Sequence, residues 1–105
     1  MGNFYIGRMI NNMKIFITSH GNYEDNYVSL CTTDFEKAVL HFLEYSKTSR
    51  YNCMSNLDIW ENDKQYHSYG SWNGDVINCK KREDITVEML KNDILLSLTK
   101  AGRSL

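Results

Sequence analysis

The sequence carries almost no net charge: 12 Lys and Arg against 13 Asp and Glu leave a formal −1. A strongly basic domain would point to nucleic acid, and a strongly acidic one to a DNA mimic or a solvating tail. Neither class is indicated, so any nucleic-acid contact must come from a local patch. Long apolar runs are missing as well. None approaches the roughly 20 residues that span a bilayer, which excludes a transmembrane helix and a membrane partner. The amino terminus does not read as a secretory signal, since the basic and apolar regions are absent. Met1-Gly2 opens like a myristoylation site, but Ile6 stands where that motif needs Ser or Thr. Cysteine is scarce: Cys31, Cys53 and Cys79 are an odd number, widely spaced, with no C-x-x-C. That argues against a disulfide framework. Free, mostly buried thiols in a cytoplasmic protein are the expectation.

What is present is ordinary globular material. Hydrophobic residues make up 42% of the 105-residue chain and charged ones 24%, which fits one folded domain and not a disordered segment. Proline is absent, while eleven Asn, eight Ile, eight Lys and seven Tyr accompany only four Arg. Residues with A/T-rich codons are thus abundant, and the expected source is an AT-rich bacterial or phage gene. Residues 1–12 show no clear period, and Met9 and Met13 are both internal methionines. Two readings stay open: an N-terminal arm, or upstream read-through before a single α+β domain over 13–105.

Within that domain, Lys14 to His20 is β-branched and aromatic, the composition of a central strand covered by helix on one side. The Gly21–Asn26 stretch reads as a turn and Tyr27–Thr32 as the antiparallel partner strand. Thr33 and Glu36 have the spacing of a capping box. Behind them Phe35, Ala38, Val39, Phe42, Leu43 and Ser46 recur at helical spacing up to Thr48. Ser49–Asn56 reads as a connection. Leu57–Glu61 and Lys64–Tyr69 form a second hairpin about a two-residue Asn62-Asp63 turn. Val76–Cys79 is a short candidate edge strand. A last helix starts at Thr86 as N-cap, with Ile85 and Leu90 as a hydrophobic staple and Gly102 as the residue beyond its end. The predicted fold is α+β, order ββαββ(β)α, a small antiparallel or mixed sheet with two helices packed on one face.

Candidate chemistry is thin. A thiolate nucleophile needs a base within hydrogen-bond reach, and antiparallel pairing separates His20 from Cys31. His20, His41 and His67 show no paired zinc spacing, so no metal or cofactor is expected. Lys80, Lys81 and Arg82 are the one basic cluster, and Tyr66, Tyr69 and Trp72 nearby could stack on bases. Against this stands the plain reading of a charged loop, with Glu83 and Asp84 next in line. Tyr and Trp dominate binding hot spots, so Tyr23, Asp25, Trp60, Tyr66, Tyr69 and Trp72 form the candidate partner-binding set. Core packing is the competing account for each.

From Met13 the residues run M-K-I-F-I-T-S-H-G-N-Y-E-D, and F-E-K-A follows on the helix. This stretch resembles a group of small uncharacterised bacterial and phage domains that begin M-K-[I/V]-[Y/F]-[I/V], carry a G-x-Y-x-D turn and then a helix with a K-A pair. The matching residues are Lys14, Gly21, Tyr23, Asp25, Lys37 and Ala38, about the first third of the chain. The long central connection and the carboxyl-terminal helix depart from that group. Its members are of unknown function, so the resemblance implies no activity. The expectation is a small non-catalytic binding protein acting on another macromolecule, such as a phage-encoded inhibitor of a host system or an immunity-type protein. The alternative is a nucleic-acid or nucleotide binder using Lys80–Arg82. An uncovered hairpin edge would permit a homodimer.

Overall fold

Alternation decides the sheet. In a strand, successive side chains point to opposite faces, and β1 (Lys14–Gly21) buries Phe16, Thr18 and His20 on one of them. The computed structural model describes residues 13–21, 26–48, 54–70 and 84–105. β2 (Asn26–Thr32), β3 (Met54–Glu61) and β4 (Lys64–Gly70) complete a four-stranded sheet of order β2-β1-β3-β4, antiparallel throughout. The first strand is therefore central, as its apolar run implies. Helices α1 (Phe35–Thr48) and α2 (Val87–Lys100) cover the face that holds Phe16, Leu57, Ile59 and Tyr69. The expected α+β architecture is the one observed. The candidate arm of residues 1–12 and the Val76–Cys79 strand lie outside the described residues.

The helix ends follow local chemistry. Thr86 caps α2 by accepting from the amide of Met89 at 3.2 Å. Ile85 and Leu90 are both buried, which completes the staple. At the other end Gly102 has φ +73, the Gly102 amide donates to the Thr99 carbonyl at 2.9 Å, and the Arg103 amide donates to Leu98 at 2.8 Å. This is a Schellman ending. The start of α1 corrects the sequence reading. Asp34, not Thr33, is the N-cap: its Oδ1 accepts from the Lys37 amide at 3.2 Å, while the Asp34 amide donates to Thr32 Oγ1. Glu36 does not return to the cap, because its carboxylate takes Lys91 Nζ of α2 at 2.8 Å.

The stretch read as a connection also needs correction, since β3 begins at Met54. Met54, Ser55 and Asn56 have weak strand preference but pair with Gly21, His20 and Ser19. Two bulges shape the sheet. Ser29 of β2 has no partner between Leu30 (opposite Thr18) and Val28 (opposite Ser19). Likewise Tyr66 of β4 is extra between His67 and Gln65. A Cβ on Gly70 would meet the Asn56 side chain and the Ser55 carbonyl, so glycine permits the close approach that ends β4.

Asn62 and Asp63 both hold positive φ, 55° and 62°, the mark of a two-residue type I′ hairpin turn. Glycine adopts that conformation at no steric cost. Asp63→Gly is expected to raise stability by about 0.5 kcal/mol, or about 2–4 °C in Tm. Thermal unfolding followed by circular dichroism checks this, and a lowered Tm would contradict it.

Candidate functional site

The side of the sheet away from the helices carries Ile15, Ile17 and Trp60 on its two central strands. Ile15 stands directly opposite Trp60, and Ile17 stands between Asp58 of β3 and Cys31 of β2. With Met13 these residues line a hollow of about 350 Å³, closed at one end by the Asn62-Asp63 turn. Met13 is 50% exposed and Ile15 39%. Among the described residues, these apolar side chains on a central strand lack the helical cover that the opposite face receives. Asp58 shares this side, where Ser68 Oγ donates to its Oδ1 at 2.6 Å, and the carboxylates of Glu61 and Asp63 line the hollow itself.

The sequence-selected aromatics do not gather here. Trp60 is half-buried in the hollow. Tyr69 is fully buried on the helix side, its ring edge-on to Phe42 at 6.0 Å and its hydroxyl donating to Asp93 at 2.5 Å. It is a core residue and presents no recognition surface. Tyr66, the bulged residue, packs against the core. Its ring lies under Lys14 Nζ at 5.0 Å and the Arg103 guanidinium at 4.8 Å, and its hydroxyl donates to the Ser104 carbonyl at 2.8 Å. The tyrosine thus ties the carboxyl-terminal tail to β4. Tyr23, Asp25, Trp72, Lys80, Lys81 and Arg82 lie outside the described residues.

Cys31 is a free thiol, as expected, but exposed and not buried. The reason is its place on the edge strand, facing the side away from the two helices. It is therefore across the sheet from His20, which is buried at 3% exposure among the helix-side residues. His20 Nδ1 lies 2.8 Å from Ser55 Oγ, and the His41 ring stands edge-on at 6.4 Å. Burial, helped by the neighbouring His41, pulls the His20 pKa from 6.5 down to about 4. A serine beside a histidine can act as a nucleophile pair, but Ser55 is 1% exposed and the pair sits inside the core. It acts as packing. Among the described residues no three His, Cys, Asp or Glu side chains come together as a metal site. No described helix is long and apolar enough to cross a membrane.

Sequence reading missed the hollow. Its signal was available: Ile15 and Ile17 are apolar at the positions that alternate with Phe16 and Thr18, and a one-sided strand would carry polar residues there. The histidine pair had a fainter signal, with His20 in phase with Phe16. No family model matches the chain, and neither curated proteins nor solved structures show one similar to it.

Proposed function

We propose that this is a non-catalytic binding protein that takes an apolar side chain of a partner protein into the Met13–Ile15–Trp60 hollow. The apolar face, which no described helix covers, carries this reading. Tryptophan is a usual anchor of a protein interface, and exposed apolar patches of this kind mark interaction sites. Glu61 and Asp63 in its lining favour a partner with a basic residue next to its apolar anchor. Occupying a partner's surface, as an inhibitor or immunity-type protein does, requires no catalytic group.

The test is capture of a partner from native host extract, its identification, and measurement of Kd against variants. Trp60→Ala and Ile15→Asp are each expected to weaken binding by about 30-fold or more, the loss typical of a hot spot. Leu40→Asp, at 46% exposure on the outer side of α1, should leave Kd unchanged. Equal binding by all three variants would reject the face.

A further inference from the structure

The edge strand β2 carries a second surface, which adjoins the hollow at Cys31. Natural edge strands are blunted by lysine, proline or inward charge. β2 reads Asn-Tyr-Val-Ser-Leu-Cys-Thr, with none of these. Tyr27 and Val28 are 57% and 62% exposed, and Cys31 is exposed too. Among the described residues β2 pairs only with β1. The opposite edge differs, since β4 begins with an exposed lysine, Lys64.

We propose that β2 pairs antiparallel with β2 of a second copy, giving one continuous eight-stranded sheet. A strand paired with itself sets its own residues across the twofold axis, so any charge near the centre would meet its like. β2 has none to meet. The net charge of −1 adds no long-range repulsion.

The bulge selects the register. Residues opposite each other in a sheet must share a face. Val28 shares a face with Ser19 and Cys31 with Ile17, which is the side away from the two helices; Tyr27 and Thr32 pair with His20 and Phe16, which is the helix side. Across the extra residue Ser29, the faces match when Val28 opposes Cys31 of the second copy and Tyr27 opposes Thr32. The alternative of Tyr27 opposite Leu30 would set Val28 against Ser29, whose hydroxyl reaches Thr18 Oγ1 on the helix side. In the former register the axis falls between Ser29 and Leu30. Ser29 does not obstruct it, because its hydroxyl turns inward to Thr18 Oγ1 at 2.9 Å and to the Thr18 carbonyl at 3.2 Å. In this register both helix layers lie on one side of the joined sheet and both hollows on the other.

Cross-linking reads the register directly. In a background of Cys53→Ser and Cys79→Ser, Val28→Cys sets a thiol opposite Cys31 of the second copy. Air or copper-phenanthroline oxidation then joins the two thiols, with loss of two electrons and two protons to the oxidant. A covalent dimer is expected on non-reducing electrophoresis within minutes, at least tenfold faster than for Tyr27→Cys or for the background carrying Cys31 alone. Sedimentation of the unmodified protein should show a dimer that Val28→Lys dissociates and Leu40→Lys does not. A monomer at millimolar concentration, or equal cross-linking in all three thiol variants, would overturn the proposal.

Discussion

Lowering the pH from 7 to 4 is expected to weaken the fold by about 3 kcal/mol through His20 alone. Its pKa is about 4 in the folded protein, held down first by burial and then by His41, against about 6.5 in the unfolded chain. As pH falls below 6.5 the unfolded chain binds the proton and the folded one does not, so stability is lost. The loss levels off once pH passes below 4, where both forms are protonated. His41 faces the ring from α1 and Ser55 from β3, so the charged ring would push against the helix that covers it. His67 adds in the same direction: burial and then Arg103 lower its pKa, with Ser97 Oγ 2.7 Å from its Nε2. Urea unfolding at half-unit steps of pH measures the effect. His20→Gln should flatten most of the slope between pH 6.5 and 4, leaving the share due to His67. An unchanged slope in that variant would show that other groups carry the acid sensitivity.

Phe42→Ala is the second large effect, with an expected cost of about 3–5 kcal/mol. Folded domains hold only about 5–15 kcal/mol in all, so this one truncation removes a large fraction. Phe42 is fully buried and its ring meets both Tyr69 at 6.0 Å and His20 at 6.2 Å. Its loss opens space between α1 and the sheet that neither ring can fill without leaving its hydrogen bond. Leu40→Ala, two residues earlier and 46% exposed, should stay within about 0.5 kcal/mol. The same cavity admits water to His20, so NMR titration of Phe42→Ala should find its pKa raised from about 4 toward 6.5. A cost below 1 kcal/mol, or an unmoved histidine, would contradict this account of the core.

Local rules made much of the fold readable. Ile85, Thr86 and Leu90 specify the start of α2 within a few residues of each other, Gly102 marks its end, and Asn62-Asp63 marks its hairpin without outside help. Errors arose where a distant partner decides. Thr33 and Asp34 both fit a helix start, and Glu36 left the cap for Lys91 of the other helix. Met54–Asn56 extend β3 because β1 offers partners there. The candidate site was less readable. Periodicity places Trp60 opposite Leu57 and Ile59, but no spacing tells that the far side of the sheet lacks a covering layer in the described residues. The bulge at Tyr66, which sends that tyrosine to the carboxyl-terminal tail, leaves no trace in composition.

The pairing of β1 with β3 also governs how the molecule assembles. Each hairpin pairs strands that are neighbours in sequence, but joining the hairpins pairs β1 with β3, with β2 and α1 between them in the chain. The shortest closure brings Gly21 to Met54, and the longest brings Lys14 to Glu61. Chain entropy favours starting at the short end, beside His20 and Ser55. Non-local pairings of this kind set the pace of folding. The buried histidine therefore sits at the end of the β1–β3 seam with the shortest chain closure, and Ile15 and Trp60 at the end with the longest.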